Sequence, residues 1–461
     1  ATALETTRQS EQQARDELFL ALRNQARARR FSRQMGQRLD SLKALAEAAR
    51  IRRDEDLRDE AIAALALADV ERGPSWQNRS ASNTRVVAFD NLYQRYARLN
   101  SDGSITLCKV PGGEPSQELR PDGPALAWHA GSRLLFSPDG RFLAQLDYTN
   151  SFRLWRLADG HLLLLTPSGG PLAAAFSPNS HWLVVAAPGV FTRFDLSSGQ
   201  AVNHWAAPTP VFSLAFHPDN RKLAVGYLPS APVSVYDSVA GTEIAAFPIA
   251  ESTHEIVAWH PAGGLLATAG SDPRIEIWEL PTRTKSASLE GSAQQVTALS
   301  FHPTSGLLAS ASWDGVVRLW DPAAAREVLE IPFGPDIRFS QDGRWLGFGQ
   351  PLDRIELWSV TAKQEFYTLD HGQTYDGDLS PDGRFLAMGM KDGLRVWDLL
   401  RRKLVAYRSL GETFTVFFAA GNHQLLTCGP KDGLQCWSIE FPNDASSREF
   451  VLKSPRAIAL P

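Results

Sequence analysis

Three of the ten histidines, His217, His260 and His302, occupy one place in a recurring phrase, each directly before Pro218, Pro261 or Pro303. Three imidazoles in register are the first arrangement to test, because converging ring nitrogens bind zinc and related ions. The phrase elsewhere has Ser at that place, so each His replaces the Ser of a Ser-Pro turn. Turns of separate copies splay apart from a common axis, so convergence on one ion is not expected. No His-Glu-x-x-His, no paired-cysteine motif and no Gly-x-Ser-x-Gly elbow is present. The three cysteines are too few for a disulfide framework. Cys428 and Cys436 lie on neighbouring strands of one hairpin and face each other if its turn has three residues, with packing the expected role. The remaining chemical candidate is a charge run, Arg27, Arg29, Arg30, Arg33 and Arg38. It offers either a surface for an anionic partner such as lipid headgroups or nucleic acid, or a solvated helix face neutralised by Asp54, Glu55, Asp56, Asp59 and Glu60; the second is expected. No catalytic, metal or cofactor residue is assigned.

The elements that must position these groups are legible in residues 296–331. VTALSF, LLASAS, VVRLWD and REVLEI alternate at period two and are separated by His-Pro, Trp-Asp-Gly and Asp-Pro breaks. That pattern predicts a four-stranded antiparallel meander. The apolar residue before the first turn recurs as Phe89, Phe136, Phe176, Phe216, Trp259, Phe301, Phe339, Leu379 and Phe418. The third strand ends on Cys108, Trp155, Phe194, Tyr236, Trp278, Trp320, Trp358, Trp397 and Trp437. After a first step of 47 residues the spacing holds at 38 to 43. Small sheets repeated at this period pack on one another to cover their faces.

Residues 85–453 resemble WD40 repeats, most clearly in FSPDGRFLA (136–144), LSPDGRFLAMGMKDGLRVWDLL (379–400) and 296–331. TolB-like and quinoprotein propellers share the Ser-Pro-Asp-Gly turn, and the Trp-Asp endings favour WD40. The resemblance implies an all-β, WD40-like β-propeller, of nine four-stranded blades or eight if one unit is an appendage. It also implies a buried chain of Trp320, Ser310 and Asp314, whose fourth member, a His, is replaced by Gly291-Ser292. Trp155, Trp278, Trp358, Trp397 and Trp437 are expected to be structural. Partners in this family dock on the face carrying the turns between strands two and three. Ser101, Ser271, Trp313, Leu352, Lys391 and Lys431 mark that rim, and Trp128 belongs to an insert at 121–131. An exposed aromatic is a common binding anchor, so Trp313 leads. The alternatives are that it folds over a neighbouring turn and that the lysines are merely solvated. An enzyme at the channel mouth needs inward carboxylates or histidines, yet VFSLAF, VTALSF and FTVFF are apolar or hydroxylic. A small-molecule sensor with a pocket in the channel is the third possibility.

Residues 1–72 have helical composition, with helices expected over Glu5–Arg30, Asp40–Arg50 and Asp56–Leu67, Asp40 and Asp54 or Asp56 as caps, and Ala14, Leu18, Ala21, Leu22 and Gln25 on the first stripe, which Phe19 widens. A linker over 73–84 and a propeller over 85–461 complete the division. QARARRFSRQMGQRLDSLKALAEAARI, then LRDEAIAALAL, then repeats, is similar to the region after the kinase domain in bacterial receptor-type serine/threonine kinases with WD40 repeats. Kinase loops are absent, so the resemblance implies the non-catalytic sensor or scaffold portion of a membrane-anchored parent, on either side of the membrane. The start at Ala1 reads as processing or as a piece of something longer. A net charge of −4 and pI near 6.2 argue against a general nucleic-acid surface, and no apolar run is long enough to span a bilayer. A protein or peptide partner on the rim is expected, without a cofactor.

Overall fold

A computed structural model describes residues 2–77, 84–120, 132–146, 152–166, 173–207, 210–228, 231–248, 255–332, 337–348, 354–361, 373–381, 383–399, 403–419, 424–440 and 451–457. Three helices, α1 (Thr2–Arg30), α2 (Gln37–Ile51) and α3 (Glu55–Leu65), precede nine four-stranded antiparallel sheets. The nine blades expected from the repeat are therefore all present in a WD40-like propeller architecture. Packing divides the chain into two units, Ala1–Phe366 and Tyr367–Pro461. The first holds seven sheets and the second two.

Blades 1 to 6 of the first unit are meanders within 84–119, 133–166, 173–206, 211–247, 255–289 and 296–332. Blade 7 is different. Its inner three strands come from Ile337–Phe339, Trp345–Phe348 and Arg354–Thr361, and its fourth is β1 (Asp69–Gln77), from ahead of blade 1. β1 runs antiparallel to Arg354–Thr361, with Asp69 opposite Thr361 and Gln77 opposite Arg354. The expected linker is thus overturned for its first residues: Gly73–Gln77 are strand, and 78–83 lie outside the described residues. The sequence signal was hidden because Gly73-Pro74 falls at the β-bulge between Arg72 and Ser75, where a missing backbone N–H is tolerated.

Within each unit, neighbouring blades share an apolar core, and in the first unit these cores form a cycle. Ile337, Phe339, Leu346 and Trp358 of blade 7, with Val70 of β1, meet Ala309, Val317, Leu329 and Ile331 of blade 6. Trp76, Ile355 and Leu357 meet Val87, Phe89, Tyr93, Tyr96 and Cys108 of blade 1. A buried Trp at such a joint removes roughly 200 Å² from water, worth at most about 5 kcal/mol. Trp155, Trp320 and Trp358 are about 1% exposed, and Trp278 and Trp437 are also buried, while Trp397 is half-buried.

A second cycle runs through the first turns. Asp139 N–H donates to Ser180 Oγ (3.0 Å) and Asn179 N–H to Asn220 Oδ1 (2.7 Å). His217 Nε2 reaches the Gly263 carbonyl (2.9 Å), and His302 Nε2 that of Gly343 (3.0 Å). His260 stands edge-on to Phe301 with its Nε2 against Gly306. Gln341 N–H donates to the Asn91 carbonyl (2.7 Å), joining blade 7 to blade 1, and the Arg95 guanidinium contacts the Gly140 carbonyl of blade 2. The three histidines therefore act as clasps, each turned to the next blade.

In the second unit, blades 8 and 9 share a core of Phe385, Leu394, Val396, Val416, Phe418, Leu425 and Trp437. The cysteines do not face each other: Cys428 is opposite Leu434 and Cys436 opposite Leu426. The three-residue turn between Gly429 and Gly433 falls one position earlier than a Cys–Cys pairing requires.

The helical segment rests on the first unit. Asp54 caps α3, accepting from Leu57 N–H (2.9 Å), whereas Asp40 does not cap α2, which begins after left-handed Gly36 (φ +81°). Its cap comes from β1: buried Asp69 accepts from Gly36 and Val70 N–H at Oδ1 and from Arg38 and Leu39 N–H at Oδ2, all at 2.8–3.1 Å. Residue 34 bridges to Glu330 of blade 6. The buried face of α1 is Phe19 and Ala26, not Leu18, which is exposed. Of the arginine run, Arg27 and Arg30 pair with Glu60, in the direction of the neutralised face expected, and Arg23 outside the run pairs with Asp56. No helix among the described residues is long and apolar enough to cross a membrane.

Candidate functional site: the Trp313 rim and the channel

The Trp313 turn joins Leu308–Ser312 to Val316–Asp321 in blade 6. Gly315 supplies the positive φ (79°) that closes it, with its N–H on the Ser312 carbonyl. Ser312 Oγ donates to the Gln294 carbonyl and accepts from Asp314 N–H. Asp314 Oδ1 accepts from Val316 N–H (2.9 Å), and Oδ2 from Ala293 N–H (2.9 Å) and the Arg318 guanidinium (2.7 Å). Burial pushes this carboxyl up, but the two amides and Arg318 outweigh it and hold the group below the usual carboxylate range. The backbone around Trp313 is therefore fixed by hydrogen bonds while the residue is 59% exposed. Trp313 is thus an exposed aromatic rather than one folded over a neighbouring turn.

The Trp–Ser–Asp chain is realised in two parts. Trp320 Nε1 donates to Ser310 Oγ (2.8 Å), and the same bond recurs as Trp278 to Thr268 (3.1 Å) and Trp437 to Thr427 (2.9 Å). Where the missing His would complete the chain, buried Arg318 pairs with Asp314 and reaches Glu330 (3.0 Å) and Glu327 (3.6 Å). Sequence reasoning passed over Arg318; an Arg four residues after the turn Asp was its signal. In blade 8 the place of Ser310 is taken by Met388, opposite Arg395, and the Trp397 indole N–H has no partner among the described residues.

Trp313 also borders the central channel of the first unit, a cavity of about 550 Å³. Its walls are the inner strands, with Val86, Leu135, Phe212, Leu214 and Leu299 beside Ser213 and Thr297. No carboxylate or histidine lines it among the described residues, but Arg133 and Arg338 do. Ser271 borders a separate shallow cleft with Asp272, Arg274 and Glu290. Lys391 and Lys431 are exposed on turns of the second unit, and Leu352 and Trp128 lie outside the described residues.

A family model for "WD domain, G-beta repeat" matches residues 283–321, which cover the last strand of blade 5 and the first three strands of blade 6. The mouse protein "Telomerase protein component 1" is 29% identical over 145 residues, 31% of this chain and 6% of that protein, so the chain spans only a small part of its relative's length. WD40 domains generally bind proteins or peptides. The matched repeat, the nine four-stranded sheets and the recurring Trp–Ser/Thr bond together support a WD40-like β-propeller fold.

Proposed function

We propose that this chain is a non-catalytic interaction scaffold whose rim, centred on Trp313, receives a protein or peptide. The observation that carries this reading is the exposed indole on a turn whose every hinge is hydrogen-bonded. A preformed aromatic anchor loses little entropy on binding, so a modest number of contacts gives useful affinity. The finer reading places the chain as the regulatory portion of a bacterial receptor-type serine/threonine kinase. It rests on the phrasing of residues 25–51 and 57–67 ahead of the blades and on the docking of that helical segment to β1. Panning a random peptide library on the full chain tests the first reading: selected peptides should lose at least tenfold in affinity on Trp313→Ala, with the melting temperature unchanged. Peptides that bind the variant equally well would remove Trp313 from the site. The kinase reading is checked by the coding sequence upstream of Ala1, and a reading frame there without a kinase domain overturns it.

A further inference from the structure

The channel of the first unit carries a feature that rim docking does not use. Arg133, on the inner strand of blade 2, and Arg338, on that of blade 7, line a cavity otherwise apolar or hydroxylic, and blade 1 stands between them. Neither arginine forms an ion pair among the described residues, although most arginines of the first unit's turns are paired to Asp or Glu. Both side chains are exposed to the cavity while their flanks are anchored. Arg133 lies against the Phe212 ring of blade 4, 5.3 Å from its centroid. Arg338 sits between buried Ile337 and Phe339, and its carbonyl accepts from the Tyr93 hydroxyl (2.6 Å).

The register offsets the two positive charges along the axis. Arg133 is three residues before Phe136 and Arg338 one before Phe339, so they differ by two residues, about 6–7 Å of strand. Two unpaired guanidinium groups inside low-dielectric walls focus a positive potential that solvent screens less than it would outside. A cavity of about 550 Å³ falls within the range of small-ligand sites, which are mostly apolar with a few placed polar groups. We propose that the channel binds a small organic dianion, bearing carboxylate or phosphate groups, with one anionic end on Arg133 and the other on Arg338. This goes beyond the rim reading and does not depend on it.

Isothermal titration of the full chain with glutarate and with inorganic pyrophosphate tests the proposal, with acetate as a single-charge control. Saturable binding of glutarate assigns a carboxylate ligand, and of pyrophosphate a phosphate ligand. Either should exceed acetate by about tenfold or more and weaken with rising salt. Arg133→Gln and Arg338→Gln should each reduce affinity about tenfold or more, and the double variant should abolish it. Arg344→Gln, on the exposed first turn of blade 7, should change nothing. Circular dichroism confirms the fold of each variant, and Arg→Lys at both positions keeps the charge if Gln destabilises it. Absence of saturable binding by both dianions up to about 10 mM, or binding retained in the double variant, would overturn the assignment.

Discussion

Asp69 ties the helical segment to the strand that completes blade 7, and its geometry makes the consequence of replacing it calculable. Oδ1 receives Gly36 and Val70 N–H, and Oδ2 receives Arg38 and Leu39 N–H. In Asp69→Asn the remaining side-chain oxygen could keep the Gly36 and Val70 pair, but the new amide NH2 would then face the other two donors. Two donors left without an acceptor at a mostly buried site cost about 1–3 kcal/mol each; because the α2 end is half-buried and reaches water in part, Asp69→Asn should lose about 2–4 kcal/mol. Asp69→Ala removes both acceptor oxygens and with them all four bonds, and should lose about 4–5 kcal/mol, near the upper end of single substitutions. The direct readout is hydrogen exchange at the amides of residues 36, 38, 39 and 70. In Asp69→Asn, protection of Arg38 and Leu39 should fall roughly 30- to 1,000-fold, with Gly36 and Val70 less affected. Asp69→Ala should expose all four and increase Trp76 solvent accessibility, since β1 is held at one end by this carboxylate. Exchange unchanged at Arg38 and Leu39, with the unfolding free energy of both variants from urea denaturation within about 0.5 kcal/mol of the parent, would refute the reasoning.

Three further outcomes follow from the same geometry. Ser310→Ala leaves the Trp320 indole N–H unpaired inside the sheet and should cost about 1–3 kcal/mol by urea denaturation, whereas Met388→Leu in blade 8, which breaks no such bond, should cost less than about 1.5. His302 and His260 are held neutral: burial lowers both, only partly offset for His302 by the Gly343 carbonyl and Asp342, and each Nδ1 accepts a backbone N–H. Because these folded-state values lie below the unfolded value near 6.5, their contribution is complete above about pH 6.5 and is lost as pH falls through that value toward the folded one. His302→Ser, which restores the Ser of the other turns, should therefore flatten the decline in urea midpoint between about pH 7.5 and 5; an unchanged slope would exclude His302. Chains beginning at residue 67 should keep blade 7 closed, while those beginning at residue 79 should be cleaved faster by protease at the blade 7 to blade 1 joint, and equal rates would show that β1 is dispensable.

Much of this fold is legible in the residues because the repeat writes the same rule nine times. The apolar residue before the first turn and the residue ending the third strand fix strand register, and most of both series are buried, as with Phe136, Trp155 and Trp320, while Leu379 is exposed and Phe176 and Trp397 are half-buried. What does not repeat is harder to read. β1 carries no copy of the motif, and its Gly-Pro pair resembles a break, so only the pairing with Arg354–Thr361 reveals it. The faces of α1 are ambiguous because Leu18 and Phe19 are adjacent and a thin stripe can rotate by one residue; docking buries Phe19. At the site, exposure of Trp313 follows from a tight turn that offers an indole no neighbour. Arg318 was hidden because an Arg in the third strand reads as a solvent-facing residue until its three carboxylate partners are placed around it.

The one blade that breaks the aromatic rule shows where closure is made. Blade 1 has Cys108 where the other blades have an aromatic ring, and Cys108 is fully buried. Its volume deficit is made up from two directions: Tyr96 on the neighbouring strand, tilted against Phe89, and Trp76 from β1, whose Nε1 donates to the Tyr96 hydroxyl (3.4 Å). Burial drives the Tyr96 hydroxyl up to about 12, so it stays a neutral donor and acceptor at the joint. A Trp at position 108 would compete with Trp76 for the same space, and overpacking a filled core costs about 1–3 kcal/mol. The small residue is therefore what admits the incoming strand. A repeat count reports how many sheets the chain makes, but the place where seven of them close is set by the residue that departs from the repeat and by the segment, outside the repeat, that fills the gap.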